Sequence, residues 1–433
     1  MHISILTVFP QLFEPFIKTS LIGRAVEQGK ISFDLTDYFS YCPPKTRIDA
    51  PAFGHGAGMV IKPEVIERAI QEKERAHGKA FRIFFSPQGR KLDQFVLKGL
   101  AKKLESVQHL MLVSSRYEGI DARVETVYAD MVLSIGDYVL MGGDLPAMVL
   151  LEGLLRLEPG IVGKQESVEH ESFNGPFVDF PTYTAPVSWQ GLEVPEVLRS
   201  GNHALINTWR RDQAVKKTVM QHFEWVRSFE LSAQEKELVA SKIPRHYCVL
   251  MHTEVLLPHE GVGTTSVTSM DIHDIARSAA TYGIENYFLV TPLEDQQKIV
   301  KTLLDFWKTG YGIEYNTNRH QAVSKVELLG SFDEVIAAIE KKEGKKPLII
   351  ATSAKRGDGQ KILTYYDQSI IWQQERPVLL VFGTGKGLSQ AFMEKVDYLL
   401  EPVEGLSNFN HLSVRSAVAI ILDRWFGLKH KNR

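Results

Sequence analysis

The stretch that most limits what this chain can become runs from Ser134 to Gly160, SIGDYVLMGGDLPAMVLLEGLLRLEPG. Tyr138, Val139, Leu140 and Met141 are the aromatic, β-branched and large apolar types that suit a buried strand. Gly142 and Gly143 then break the run. They can take positive φ, and without side chains they let a flat ligand lie against the backbone. Asp144 stands where a helix N-cap or first-turn acid belongs, and Pro146 fits the first turn. Leu150, Leu151, Leu154 and Leu155 form a stripe at helical spacing, closed by Pro159-Gly160. The expectation is a strand, a glycine turn and a helix, an α/β crossover whose turn can serve as a ligand site.

Similar units precede it. His2 to Phe9 reads as a first strand, and Ala80 to Ser86 as a central strand ending at Pro87-Gln88-Gly89. A helix over Asp93 to Ser106 leads to a strand over Leu110 to Ser114. Repetition of this kind predicts an α/β fold with a mostly parallel sheet and ligands beyond the carboxyl ends of its strands. Residues 40–59, with Lys45 and Arg47, are loop-like, and the glycine run at Gly54, Gly56 and Gly58 within them reads from composition as a flexible surface loop. The polar segment 160–181 reads as a linker.

A helix follows over Ser200 to His222. Leu205, Trp209, Val215 and Val219 mark its buried side, and Arg210, Arg211, Lys216 and Lys217 crowd the rest with only Asp212 against them. Beside Asn202 and His203, those cations read as phosphate contacts. Past Pro244 a second α/β domain opens at HYCVLM. It continues as helix Asp271–Gly283, strand Asn286–Thr291, helix Leu293–Gly310 and strand Leu348–Thr352.

A chain of 433 residues has room for two or three domains. A formal charge of −2 gives no global sign of nucleic-acid binding, so an RNA site must be a local basic patch. Cys42 and Cys248 have no CxxC or Cys/His cluster around them, which argues against zinc or a disulfide framework and for a reducing compartment. No uninterrupted apolar window is long enough to span a membrane. MHISILTVFPQLF lacks the basic start of a signal peptide. Cytoplasm is the expected location, with no metal centre expected.

Three blocks stand in order: SPQGRKLDQ from Ser86, RYEGIDARV from Arg116, and SIGDYVL-x-GG-x-LPAM from Ser134. Together they resemble the bacterial tRNA (guanine-N1)-methyltransferases, and the resemblance runs from Met1 to about Arg245. It implies a trefoil-knotted SPOUT methyltransferase domain at 1–162, a linker at 163–181 and a small helical tRNA-binding domain at 182–245. By resemblance, S-adenosylmethionine lies against Pro87, Gln88, Gly89, Ser115, Tyr117, Glu118, Ser134, Ile135, Gly136, Asp137, Tyr138, Val139, Leu140, Gly142 and Gly143, with Pro146 behind. Its methyl group goes to N1 of guanosine 37 in tRNA. Arg156 matches the arginine held to contact the base. Glu171 occupies the general-base position, where the family usually has aspartate, and Glu169 is near enough in sequence to substitute. His203, Arg210, Arg211, Lys216 and Lys217 would grip the tRNA. The resemblance further implies a homodimer with a site built across two subunits, Mg2+ as an optional activator, and neither DNA nor membrane as a partner. The chain departs from the pattern at Pro51-Ala52-Phe53, where Arg-Pro-Tyr is more typical. It departs again at His55, which interrupts a run of glycines, and at Ser115, which replaces a glycine.

The ending, RPVLLVFGTGKGL through NHLSVRSA, resembles the terminal motifs of knotted RNA methyltransferases. Residues 246–433 are therefore expected to be a second SPOUT-like domain, either a second RNA methyltransferase or a remnant used for RNA grip. Gly383, Thr384, Gly385, Gly387, Leu412 and Ser413 are its cofactor candidates, with His411 and Arg415 beside them; N-capping and surface charge are the alternative for the helix start. GTGKGL followed by Glu401 also mimics a dinucleotide fingerprint, although its third glycine is displaced. For the whole chain, the alternatives are a non-catalytic RNA-binding protein with a vestigial pocket and a dinucleotide-dependent oxidoreductase.

Overall fold

The computed structural model describes residues 1–162, 171–258, 261–357 and 359–428. The chain divides into two compact units, Met1–Asn174 and Gly175–Arg433.

In the first unit the chain runs β1 (His2–Thr7), α1 (Glu14–Lys18), α2 (Ser20–Glu27), β2 (Ser32–Asp37) and a small hairpin of β3 (Asp49–Pro51) and β4 (Met59–Ile61). Then come α3 (Pro63–His77), β5 (Phe81–Lys91), α4 (Gln94–Leu104), β6 (His109–Val113), α5 (Ala122–Tyr128), β7 (Met131–Ser134) and α6 (Asp144–Leu157). Five strands make one parallel sheet in the order β2-β1-β6-β5-β7. Strand alternation explains why helices cover both faces. Ile3, Ile5, Ile83, Phe85, Leu110 and Leu112 point into a core with α4 and α6. Leu6, Phe84, Met111 and Val113 point the other way, against Val65, Ile66 and Ala69 of α3. Ala147, Leu150, Leu151, Leu154 and Leu155 are the buried stripe of α6. Burying each of the four leucines contributes roughly 1.5–3 kcal/mol.

Two expectations need correction. The central strand does not end at Ser86 but continues to Lys91. Phe85 and Arg90 both pair with Leu133, so Pro87, Gln88 and Gly89 bulge out between them. A bulge is where a strand tolerates proline, which has no N–H to donate. The second correction concerns the opening stretch. Its strand is Met131–Ser134, upstream of the apolar run. Val139 and Met141 are 83% and 88% exposed, and Tyr138 and Leu140 are exposed too. The apolar run is a surface loop.

The second unit contains the helix His203–Gln221, whose N-cap Asn202 accepts from the amides of Ala204 and Leu205. Val215 and Val219 are buried as expected, but Leu205 is exposed and Ile206 takes its place inside. A seven-stranded sheet follows in the order Val326–Leu329, Tyr287–Val290, His246–Met251, Val378–Gly383, Leu348–Thr352, Tyr398–Leu400 and Ile362–Leu363. Its pairings are parallel. The helical segment is not separate from this sheet. Arg227, 1% exposed, donates to the carbonyls of Asp423 (3.1 Å) and Gly427 (2.6 Å), closing the end of the helix Val414–Phe426. At the seam, His246 Nε2 accepts from two indoles, Trp372 at 3.3 Å and Trp425 at 3.2 Å. Its Nδ1 therefore carries the proton, which it donates to the Pro244 carbonyl at 2.6 Å.

Candidate active site

The turn at Gly142-Gly143 is pinned to the segment that follows β6. The Gly143 amide donates to the Ser115 carbonyl at 2.9 Å, and Gly142 bridges Arg116. Neither glycine has positive φ. Close approach is what requires them: a Cβ on Gly142 would stand 2.7 Å from Ser115 O, and one on Gly143 would stand 2.9 Å from Ser115 N. Asp144 is the first residue of α6 rather than its cap, and it is 1% exposed. Its carboxylate accepts from Thr7 Oγ1 at 2.6 Å and from Arg116 Nε at 2.7 Å. Arg116 in turn stacks on the Phe9 ring at 4.8 Å. Thr7, Phe9, Arg116 and Asp144 thus lock the ends of β1, β6 and α6 together. Sequence reasoning missed this lock. Arg116 opens a block already singled out, but its partners come from distant positions.

The residues expected to hold a cofactor lie at the carboxyl ends of β5, β6 and β7 or on the segments that leave them. Pro87, Gln88 and Gly89 form the bulge of β5 beside β7, and Ser134 Oγ holds the carbonyl of Gly136 at 3.0 Å. Asp137 pairs with Lys91. Tyr117 adopts φ 59°, a left-handed conformation, and is half exposed. The Glu118 amide bonds the Met59 carbonyl at 3.0 Å, which tethers the glycine-bearing loop of residues 51–58 to the same rim. Phe53, within that loop, is fully exposed. Among the described residues, the amides of Val139, Leu140 and Met141 have no hydrogen-bond partner. Exposed apolar side chains beside unpaired backbone donors suit a flat heteroaromatic ring with acceptor nitrogens. The adenine of S-adenosylmethionine fits that description, with Pro146 buried behind the turn.

Arg156, near the end of α6, forks onto Glu171. Its Nε donates to Oε2 at 3.1 Å, and a terminal nitrogen donates to Oε1. The carboxylate raises the guanidinium further above its ordinary range, chiefly through that hydrogen bond. Glu169 lies outside the described residues. Arg156 is twelve residues along α6 from Asp144. At 1.5 Å per residue the pair stands about 18 Å from the glycine turn of its own chain.

In the second unit the basic helix is less uniformly free than its sequence suggests. Arg210 stacks on Phe180 at 4.8 Å, Arg211 faces Glu235 at 3.8 Å and Lys216 faces Glu375 at 3.5 Å. Asp212 is engaged by Lys242 and accepts from Gln213 Nε2 at 3.5 Å. His203 and Lys217 are exposed. Farther on, Gly383 ends a central strand, and Gly385 and Gly387 have φ of 62° and 102°. Thr384 Oγ1 bonds Thr265 Oγ1 at 2.6 Å. Leu412 is exposed, and Ser413 caps the last helix by accepting from the Ser416 amide. Arg415 is paired with Asp274 at 2.9 Å and Asp271 at 3.7 Å. The dinucleotide reading fails here, because the helix after the glycines is a single turn, Gln390–Met393, set apart from the glycine-rich turn.

Comparison with known proteins divides the chain at a later point than the two compact units do. Residues 1–228 match a family described as tRNA (Guanine-1)-methyltransferase TrmD, and residues 245–427 one described as SAM-dependent RNA methyltransferase. A tRNA (guanine-N(1)-)-methyltransferase of Nitratidesulfovibrio vulgaris is 38% identical over 99% of both chains, and one of Oleidesulfovibrio alaskensis is 37% identical over the same shares. A Thermus thermophilus enzyme of that name is 41% identical over 55% of this chain and 98% of its own. Some relatives therefore match both parts and others only the first. The chain belongs to the tRNA (guanine-N1)-methyltransferase family.

Proposed function

We propose that this protein transfers a methyl group from S-adenosylmethionine to N1 of guanosine 37 in tRNA. The observation that carries the reading is the Arg156–Glu171 fork at the far end of the helix that begins at the glycine turn. Guanine N1 is protonated at neutral pH, so a base must take that proton as the new bond forms. Glu171 is the carboxylate for it, and glutamate in place of aspartate keeps the chemistry with one more methylene. Negative charge then grows on O6, and Arg156, released from Glu171, is the donor that meets it. When bound, S-adenosylmethionine supplies a methyl group on a sulfonium, and transfer leaves a neutral thioether. The bulge at Pro87–Gly89, the Ser115–Glu118 rim and the loop 135–143 hold and orient it.

A span of about 18 Å between fork and turn means one chain does not complete the site. Leu145 and Val149 are exposed on the face of α6 that leads to Arg156, next to the exposed loop Tyr138–Met141. A second copy seated there brings its own fork to the first copy's turn, which supports a homodimer with composite sites. The bond between Gly143 and Ser115 lays the loop 135–143 across the exit of β6, in keeping with a trefoil knot. His203, Arg210, Arg211, Lys216 and Lys217 supply phosphate contacts. Residues 246–433 act as a second S-adenosylmethionine-dependent methyltransferase on RNA, with Gly383, Thr384, Gly385 and Gly387 at its turn. This activity belongs in the cytoplasm. No helix among the described residues is long and apolar enough to cross a membrane.

Mixed dimers test the composite site. Subunits carrying Glu171→Gln and subunits carrying Gly143→Val should each be inactive alone. Mixing should restore N1-methylguanosine in tRNA, mapped by nucleoside analysis, through the one site that has both intact parts. No restoration on mixing sinks the composite site. Failure of the wild-type protein to methylate N1 while still binding tRNA sinks the enzymatic reading in favour of a non-catalytic binder.

A further inference from the structure

At the amino ends of the parallel strands, opposite the glycine turn, His2 of β1, Asp34 of β2 and His77 at the end of α3 come together. One imidazole nitrogen from each histidine and a carboxylate oxygen all lie within 4.8 Å of one another. His77 Nε2 is 3.6 Å from Asp34 Oδ2, and the His2 and His77 rings lie 3.8 Å apart. His2 Nε2 is buried with no hydrogen-bond partner. An unpaired nitrogen in a buried position is costly unless something occupies it. Its other nitrogen is fixed by Ser32 Oγ at 2.8 Å, the outer contact that metal-bound histidines characteristically make.

We infer that His2, Asp34 and His77 form a binding site for a late first-row divalent ion of the zinc class, separate from the methyl-transfer site. Two imidazoles and one carboxylate are the donor set such ions prefer, leaving a fourth position for water. Bonds of about 2.1 Å hold tetrahedral donors about 3.4 Å apart, so the trio must draw in by about 1.4 Å at most. His77 can supply that movement, being the last residue of its helix and a third exposed. His109 is not a ligand. Its two nitrogens are committed to Ser4 Oγ at 2.9 Å and the Gly78 carbonyl at 2.8 Å. The competitor is Lys73, whose ammonium sits 2.8 Å from Asp34 Oδ2 and has Glu72 4.0 Å away as a second partner. Ion binding sends Lys73 to Glu72 and ties β1, β2 and α3 together. The ligands come from three distant points of the chain, so no motif spacing announces them.

The full-length protein, purified without an oligohistidine tag and dialysed against chelator, is titrated with Co2+ and then with Zn2+. One Co2+ per chain with visible d–d bands, displaced by Zn2+, is expected. His77→Ala and His2→Ala should abolish the bands, and His109→Gln should keep them. Lys73→Met should tighten binding by about fivefold, because it removes a charge that competes for the carboxylate. Methyl transfer to tRNA should stay at the wild-type rate in His77→Ala, which also shows that this variant is folded. Absence of the bands in the wild type, or their persistence in folded His77→Ala, overturns the site. Unchanged or weaker binding in Lys73→Met overturns the assignment of Asp34 as a ligand.

Discussion

Arg156 and Glu171 meet in a two-point fork, Nε to Oε2 at 3.1 Å with a second contact to Oε1. The arginine comes from a rigid helix and the glutamate from the irregular segment that follows it. A fork of this kind fixes the carboxylate's direction before any substrate arrives. It also gives the two residues separate duties that substitution can tell apart.

Glu171→Gln keeps the shape and a hydrogen bond to Arg156 but cannot accept the N1 proton. Single-turnover transfer to tRNA should fall by about 10²–10⁴-fold with S-adenosylmethionine affinity retained. Glu169→Gln should transfer at the wild-type rate. The reverse pattern would move the base to Glu169.

The Asp144 carboxylate is nearly inaccessible and depends on Arg116 and Thr7 for partners. Arg116→Ala leaves that charge buried and uncompensated, which costs about 3–5 kcal/mol. The same change loosens the strand exit that holds Gly142-Gly143. Denaturant midpoints read by circular dichroism should fall, and cofactor affinity should fall with them. Arg116→Ala with Asp144→Asn should recover part of the stability, because the uncompensated charge is gone.

Much of this arrangement was legible in the sequence. Repeated strand–turn–helix units foretold a mostly parallel sheet, and the three ordered blocks mark the segments that leave β5, β6 and β7. The position of the run Tyr138–Met141 does not follow from its composition, because an apolar tetrapeptide looks the same buried or exposed; here it borders the glycine turn and, on the proposed reading, a ligand and a second copy. The cations of the helix His203–Gln221 looked unopposed, since Glu235 and Glu375 lie far along the chain. Long-range locks were invisible for the same reason. Nothing local to His246 says that Trp372 and Trp425 will both donate to it.

That double acceptance has a consequence for pH. Burial pushes the His246 imidazole down from 6.5 to about 4, and burial pushes His252 down to about 4 as well. A histidine held neutral in the fold and free to charge when unfolded stabilises the protein above pH 6.5. That stability is lost as pH falls from 6.5 towards 4, by roughly 3 kcal/mol for His246 alone. All six tryptophans lie in Gly175–Arg433, so indole emission reports unfolding of this unit only. Urea midpoints followed by emission should drop between pH 7 and pH 5. In His246→Phe the protein should be less stable at pH 7, with a shallower pH slope. An unchanged slope would remove His246 from the effect.

The same optical separation allows the second unit's proposed cofactor turn to be tested in the intact chain. Gly385 has φ 62°, and a Cβ there would stand 2.7 Å from the Leu256 carbonyl, so a side chain must displace that backbone. Calorimetric titration of the wild type with S-adenosylmethionine should reveal two classes of site, one per unit. Gly385→Val should erase one class and leave N1-methylguanosine formation at about the wild-type rate, with the tryptophan emission spectrum confirming that the unit is still folded. Thr384 already bonds Thr265 and the Met251 carbonyl, so the turn is held from two sides and a local change should not spread. One class of site in the wild type, lost only with Gly143→Val, would make residues 246–433 a remnant without cofactor. The glycines at 383, 385 and 387 would then serve the fold alone.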